Sequence, residues 1–172
     1  MKHVLTLFLV CFSFFHIWSQ ELSHDTLTLR FDAGWNIFSV NITPDSTDIK
    51  ALFKPLIDNG SLIKIQDENG HSLENLGFLG GWTNQIGDIS VSEGYKIKVN
   101  RSCQITLTGK KIVLPFEIPL RPGWNLVGYP GVAILNGKFI VQDLINRKTL
   151  INHFNLLNCS MAYPIFTYWC QY

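Results

Sequence analysis

The segment LIKIQDENGHSLE, residues 62–74, carries the strongest fold signal in the chain. Its centre is Asn69-Gly70, a dipeptide that accepts the positive φ angles of a two-residue type I′ turn. The segment therefore predicts an antiparallel β-hairpin, and further antiparallel strands are expected around it.

Strand patterns flank the hairpin in both directions. Four segments share the alternating or β-branched apolar pattern of a half-buried strand, namely residues 26–31, 36–42, 94–99 and 103–108. Residues 77–87 are rich in glycine and are expected to form a loop around Trp82. The chain up to residue 117 is thus predicted to be mostly antiparallel strands.

One helix interrupts the strands. Between residues 48 and 59 the apolar side chains recur at the spacing of an amphipathic helix with one buried stripe. Pro55 removes a backbone donor inside this segment, so the helix is expected to be short or kinked. Asn59-Gly60 is typical of a helix stop.

The chain also repeats itself. Gly34-Trp35-Asn36, within LRFDAGWNIFS, matches Gly123-Trp124-Asn125 within LRPGWNLVG, and residues 53–64 match residues 141–152. Trp124 follows Trp35 by 89 positions and Leu144 follows Leu56 by 88, and two nearly equal offsets indicate an internal duplication. The predicted fold class is α+β, mainly β, a small antiparallel module with one short helix and a partial second copy. The predicted divisions are a signal peptide at 1–20, a complete module at 21–117, the partial repeat at 118–152 and an apolar tail at 153–172.

The Gly-Trp-Asn motif has a structural interpretation. Gly34 and Gly123 are expected to take a conformation closed to other residues, and Asn36 and Asn125 to tie the turn through their side-chain amides. Both tryptophans open an apolar strand, so they are expected to pack in the core, and the alternative makes them sugar-stacking platforms. Trp82, in the glycine-rich segment, is the candidate for ligand contact.

The order of these motifs resembles a known type of module. A strand opened by Gly-Trp-Asn, then a helix, the LIKIQDENG hairpin, Gly-Trp in a loop, and GYKIKV before CQITLTG is similar to repeated modules of secreted bacterial surface proteins. Such modules often stand beside carboxy-terminal sorting domains of the type IX secretion route. The resemblance covers residues 27–109 well and 118–152 in part. It implies a surface or secreted setting and a non-catalytic role, without naming a ligand.

The first twenty residues predict export. Lys2 precedes an apolar run from residue 4 to 15, and polar residues follow it, which is the layout of a signal peptide cleaved near Ser19 or Gln20. The run is shorter than the roughly 20 apolar residues that span a bilayer. The mature protein is therefore expected to be secreted or displayed at the cell surface, with no permanent membrane span.

The amino-acid composition indicates which partners and cofactors to expect. The formal net charge is +1 and the basic residues are scattered, which argues against a nucleic-acid partner. Cys159 and Cys170 are the candidate disulfide in an oxidising compartment, and Cys103 is interpreted as a buried small hydrophobe rather than a reactive thiol. No cysteine or histidine spacing fits a zinc site, so neither a metal nor a cofactor is expected.

Three functions remain open from the sequence. The first is a non-catalytic spacer or adhesion unit that contacts a glycan or another surface protein. The second is a hydrolase or hydrolase accessory fragment, in which Asp32 would pair with Asp88 or Glu93. The third is a truncated product, because residues 153–172 contain no Asp, Glu, Lys or Arg and abandon the repeat. That tail is either a native apolar closing segment or an out-of-frame translation.

Overall fold

The computed structural model describes residues 24–121, 123, 125–131, 146 and 168–170. Several predicted features lie outside the described residues: the signal peptide at 1–20, Trp124, Cys159, most of the partial repeat and most of the tail. The folded body described below is therefore built from residues 24–131, with one further strand near the carboxyl end.

The predicted hairpin is confirmed. Strands β4 (Leu62–Gln66) and β5 (Ser72–Asn75) pair antiparallel. The prediction of a two-residue Asn-Gly turn is wrong, because the Asp67 N–H donates to the His71 carbonyl at 3.1 Å and leaves a three-residue loop between them. The Asp67 carboxylate sets this loop by accepting from the N–H groups of Asn69 and His71 at 2.9 and 2.8 Å. Within the loop, Gly70 takes a φ of 89°.

The larger sheet has five antiparallel strands. Their order is β2 (Gly34–Phe38), β7 (Tyr95–Val99), β4, β5 and β6 (Trp82–Asn84). Strand β6 corrects the prediction that residues 77–87 form a loop throughout. The Leu76 N–H donates to the Gly81 carbonyl at 2.8 Å, which closes a short connection, and Trp82 then pairs with Asn75.

The smaller sheet has three strands in the order β1 (His24–Phe31), β8 (Cys103–Lys111) and β3 (Ile42–Pro44). The prediction of one strand over residues 36–42 is wrong. The chain leaves the larger sheet after β2, and β3 joins the smaller sheet by pairing with β8. The strand pattern carries on to Ile42 because Phe38, Val40 and Ile42 all lie in the core that the two sheets share, while the segment itself crosses from one sheet to the other.

The helical segment is broken in two. Helix α1 (Ile49–Leu52) and helix α2 (Lys54–Asp58) meet at Phe53, which confirms the predicted interruption. Pro55 lies in the first turn of α2, where its missing N–H removes no helical hydrogen bond. Asp48 caps α1, and its Oδ1 accepts from the Ala51 N–H at 2.6 Å. The apolar stripe faces the core through its buried members, Ile49, Phe53 and Leu56.

Both sheets and the helices share one apolar core, with Phe38 at its centre. The Phe38 ring centroid lies 5.6 Å from Phe31, 5.2 Å from Phe53 and 5.5 Å from Tyr95. These rings come from β1, the helical segment and β7, and aromatic pairs at such distances add to the stabilisation by burial alone. The mainly β fold class is confirmed.

A further two-stranded sheet follows the irregular residues 112–121. Strands β9 (Asn125–Val127) and β10 (Tyr168–Cys170) pair antiparallel. Strand β10 is the part of the predicted tail that the structure describes, and the second copy as a whole stays a prediction. Among the described residues, none of the helices is long and apolar enough to cross a membrane.

Candidate functional site

In the turn before β2, Gly34 and Asn36 have different structural roles. Gly34 takes a φ of 103°, and the Asn36 Nδ2 donates to the carbonyls of Asp32 at 2.7 Å and Gly34 at 3.3 Å. In return, the Asp32 N–H donates to the Asn36 Oδ1 at 3.0 Å. The predicted roles of Gly34 and Asn36 are therefore confirmed: the glycine permits the turn and the amide closes it.

Trp35 does not pack in the core. The residue is 55% exposed, so the prediction of core packing is wrong for this tryptophan. Successive side chains on a strand alternate between the two faces. Phe38 is fully buried, and Trp35 has the opposite parity along β2, which places its indole on the outer face of the sheet.

Three lysines lie on the same outer face as Trp35. Lys98 lies opposite Trp35 on β7, Lys64 lies opposite Lys98 on β4, and Glu74 lies opposite Lys64 on β5. A second row contains Lys96, which pairs with Gln66. We call this surface the lysine–tryptophan face, and it comprises Trp35, Lys64, Gln66, Glu74, Lys96 and Lys98.

Direct contacts order the lysine–tryptophan face. The Lys98 Nζ lies 5.7 Å from the centroid of the Trp35 ring, within the range of a cation–π interaction. The Lys64 Nζ lies 3.1 Å from the Glu74 Oε2. A hydrogen bond from Ser72 and a second from Lys64 lower the pKa of Glu74, so this carboxylate is charged at neutral pH. Glu74 thus offsets the charge of Lys64, while the Lys98 ammonium lies against the indole.

Trp82, the predicted ligand candidate, has a different environment. It is half-buried and packs against the apolar core, and its carbonyl accepts a hydrogen bond from the Lys50 Nζ at 2.8 Å. In the connection that precedes it, Phe78 and Leu79 are 97% and 73% exposed. Ligand contact through Trp82 stays a prediction, but Trp35 presents the more exposed indole.

The carboxylates of the hydrolase alternative lie in separate places. The Asp32 backbone closes the turn before β2, whereas Glu93 precedes β7 and accepts from the Tyr95 hydroxyl at 2.9 Å. Gly34 pairs with Val99, so Asp32 and Glu93 lie near opposite ends of a five-residue strand that is about 16 Å long. Asp88 accepts from the Thr47 hydroxyl at 2.9 Å, beside the start of α1.

Other predicted site features are placed as follows. Cys103 is a half-buried thiol against the core, and burial raises its pKa, in keeping with the small-hydrophobe interpretation. Cys170 lies in β10, but its predicted partner Cys159 is outside the described residues. Within the described part of the chain, the His, Cys, Asp and Glu side chains form no group of three that could hold a metal ion.

The second turn has the same hydrogen bonds as the first. Gly123 takes a φ of 101°, and the Asn125 Nδ2 donates to the carbonyls of Arg121 at 2.8 Å and Gly123 at 3.1 Å. The Arg121 N–H donates to the Asn125 Oδ1 at 2.9 Å. The local geometry of the Asn36 turn therefore recurs 89 positions later, although Trp124 itself is not described.

Strand β9, which follows the second turn, is joined to the loop before β7 by backbone hydrogen bonds. The Gly94 N–H donates to the Leu126 carbonyl at 2.8 Å, and the Gly128 N–H donates to the Ser92 carbonyl at 3.0 Å. The Glu68 Oε2 accepts from the Leu126 N–H at 2.7 Å. We call these contacts the junction.

Close packing accompanies these bonds. A Cβ at Gly128 would lie 2.7 Å from the carbonyl oxygens of both Val91 and Glu93, so only glycine fits there. A cavity of about 140 Å³ lies beside the junction, lined in part by Glu68, Glu93 and Arg121. Ligand pockets usually measure roughly 300–1,000 Å³. The junction is therefore better explained as a structural contact than as a small-molecule site.

Sequence reasoning missed the lysines of the outer face because it treated them as scattered. The pattern GYKIKV at residues 94–99 contained part of the signal, since Lys96 and Lys98 fall on one face of any strand. Comparison with protein-family models, with curated proteins and with solved structures gives no match to this chain.

Proposed function

We propose that the chain belongs to a secreted or cell-surface, non-catalytic protein in which β-rich units joined in tandem act as spacer and adhesion elements. The observation that carries this proposal is the recurrence of the Asn36 turn at Asn125, with the same three hydrogen bonds and nearly the same glycine φ. The export signal expected at residues 1–20 supplies the location.

The junction supports the spacer role. A flexible linker would leave two units free to reorient, whereas strand hydrogen bonds and the glycine contact at Gly128 hold β9 against the loop before β7. Leu126 is fully buried there, which adds apolar burial to the polar contacts. Units joined in this way keep a fixed spacing, which is the property that a spacer needs.

The exposed indole of Trp35 supports the adhesion role and favours glycan contact. Core packing does not account for a tryptophan that is 55% exposed, yet the sequence places a tryptophan after the same glycine in the second turn. Tandem copies of a weak contact gain affinity when several bind one ligand together. An adhesion protein with one platform per unit would use this effect.

The location can be tested on intact cells that produce the protein. Exposure of the cells to an external protease should degrade the chain while a cytoplasmic marker enzyme stays whole. Full protection of the chain until the cells are lysed would refute the surface location, provided that the protein is also absent from the medium.

The spacer role can be tested by Gly128→Ala. Its methyl group would clash with two backbone carbonyls, so the junction should open while the two main sheets stay folded. Hydrogen exchange followed by mass spectrometry should then show faster exchange in residues 92–94 and 125–128 and unchanged protection in β1 and β8. Lys111→Ala, on the exposed surface of β8, serves as the control. Unchanged exchange at the junction in Gly128→Ala would contradict a rigid connection between the units.

A further inference from the structure

We propose that Phe78 and Leu79, which we call the apolar tip, insert into the outer layer of a phospholipid membrane and attach the protein to that lipid surface. This inference goes beyond the glycan and protein contacts of the proposed function. Its basis is an ordered turn that exposes two large apolar side chains, contains no charged residue, and lies at the end of the larger sheet away from the junction.

Backbone hydrogen bonds hold the apolar tip in an exposed position. The tip lies in a short 3₁₀ helix (Gly77–Leu79) between β5 and β6. The Gly77 N–H donates to the Asn75 Oδ1 at 2.8 Å, and the Gly81 N–H donates to the Gly77 carbonyl at 2.9 Å. The two residues of the tip are 97% and 73% exposed. Exposed apolar side chains that lie together, unlike those scattered singly, mark interaction sites.

The apolar tip and the junction lie at opposite ends of β5. This strand begins at Ser72, beside the hairpin loop whose Glu68 contacts β9, and it ends at Asn75, beside the tip. The contacts of Glu68 with β9 are therefore made at one end of the sheet, and the tip occupies the other end. That position leaves the tip accessible to a surface that the protein meets.

The chemistry of the apolar tip favours lipid over a glycan. Residues 75–87 contain no Asp, Glu, Lys, Arg or His, and residues 76–81 have no polar side chain. Sugar hydroxyls would find no hydrogen-bonding side chain on the tip, whereas acyl chains need none. Trp82 follows the tip and is half-buried, and tryptophan is enriched where the apolar interior of a membrane meets the headgroups.

The size of the apolar tip argues against a stable protein partner. A large aromatic side chain buries about 150–250 Å², so two residues offer at most about 500 Å². Stable protein interfaces need about 800 Å² from each partner, with matching shapes. A fluid membrane needs no matching shape, so two apolar side chains are enough for a weak and reversible attachment.

The test measures co-sedimentation of the purified protein with sucrose-loaded phosphatidylcholine vesicles over a series of lipid concentrations. The protein is produced without residues 1–20, because that apolar run would itself bind lipid. Phe78→Ser/Leu79→Ser should weaken binding at least about tenfold, since it removes both apolar side chains. The matched control, Val113→Ser/Leu114→Ser, replaces two residues that are 83% and 58% exposed and should leave binding within about twofold. Urea midpoints of all variants check that they are folded.

Salt distinguishes insertion from charge attraction. Between about 0.1 M and about 1 M sodium chloride the screening length falls from about 10 Å to about 3 Å. Insertion of an uncharged tip should not weaken over this range. Addition of the anionic lipid phosphatidylglycerol to the vesicles should not be required for binding.

Four outcomes would overturn the proposal. The first is no binding at any lipid concentration, and the second is an equal loss in the Val113/Leu114 control, which would show non-specific adsorption. The third is binding that requires phosphatidylglycerol and disappears at high salt, which would assign attachment to surface charge. The fourth is self-association that the Phe78/Leu79 variant abolishes, without vesicle binding, in analytical ultracentrifugation; this would assign the tip to a second copy of the chain. The intact-cell and Gly128→Ala tests do not depend on these outcomes, so the proposed function is tested separately.

Discussion

The division of roles within the Asn36 turn leads to a sharp prediction about stability. Replacement of Asn36 by alanine removes all three side-chain hydrogen bonds that close the turn, at 2.7, 3.0 and 3.3 Å. The neighbouring replacement, Trp35→Ala, removes a larger side chain that is more than half exposed. We expect the smaller deletion to cost more stability than the larger one.

The magnitude follows from the geometry. A typical intramolecular hydrogen bond contributes about 0.5–1.5 kcal/mol net, and the bond at 3.3 Å is long for an N–H···O contact. The Asp32 groups left behind can reach solvent, so the full penalty of an unsatisfied buried group does not apply. Asn36→Ala should therefore lower the free energy of unfolding by about 2 kcal/mol, a large share of the roughly 5–15 kcal/mol of a typical domain.

For Trp35→Ala the expected loss is under about 1 kcal/mol, mostly from the contact with Lys98. Asn36→Asp is a useful third variant. Its carboxylate keeps the acceptor for the Asp32 N–H but turns an oxygen toward the two carbonyls that the amide bonded. This variant should be at least as unstable as Asn36→Ala.

Urea unfolding followed by far-UV circular dichroism measures all three variants. With a slope of about 2 kcal/mol per molar urea, Asn36→Ala should lower the midpoint by about 1 M and Trp35→Ala by less than about half that. A midpoint shift for Trp35→Ala as large as that for Asn36→Ala would refute the assignment of Asn36 to structure and Trp35 to the surface.

Two further predictions concern Tyr95 and Gly109. Burial is the main cause that raises the pKa of Tyr95 above the usual 10.0. In the unfolded chain the Tyr95 hydroxyl ionises near pH 10, whereas in the folded chain it stays protonated at that pH. Its contribution to the free energy of unfolding is therefore complete below pH 10 and falls as the pH rises above 10. Urea midpoints between pH 8 and 11 should fall less steeply in Tyr95→Phe, and equal slopes would contradict this. A Cβ at Gly109 would lie 2.1 Å from the Thr43 carbonyl oxygen, so Gly109→Ala should cost about 1–3 kcal/mol. Calorimetry should show a much lower Tm for Gly109→Ala than for Thr106→Ala on the same strand, and similar Tm values would refute the steric explanation.

The local structure could be predicted from the sequence where it depends on neighbouring residues. The hairpin around Asn69-Gly70, the helix break near Pro55 and the Asn36 turn each follow from backbone preferences within a few positions. The length of the hairpin loop could not be predicted in this way, because the Asp67 carboxylate accepts hydrogen bonds from two backbone amides and favours a three-residue loop. That competition between side chain and backbone is absent from simple turn propensities.

The candidate site was predicted only in part. Gly34 and Asn36 were placed correctly, but Trp35 and Trp82 were assigned to the wrong kinds of surroundings. An aromatic residue next to a strand pattern fits either face. The face on which the aromatic ring lies depends on which adjacent residue bonds the turn. Here the Asn36 amide bonds the turn, and the Trp35 side chain lies on the outer face of the sheet.

The sequence by itself determined that this chain is mainly β, that it contains a hairpin and a broken helix, and that a Gly-Trp-Asn motif recurs in it. Only the tertiary structure decided which strands are neighbours. Lys64 and Lys98 lie 34 positions apart in the chain. They are neighbours because β4 pairs with β7, although β5 and β6 separate these two strands in the sequence. The order of the strands is the one that buries the apolar surface of all of them together, so it cannot be read from any local sequence pattern. The lysine–tryptophan face forms only because the strands take this order.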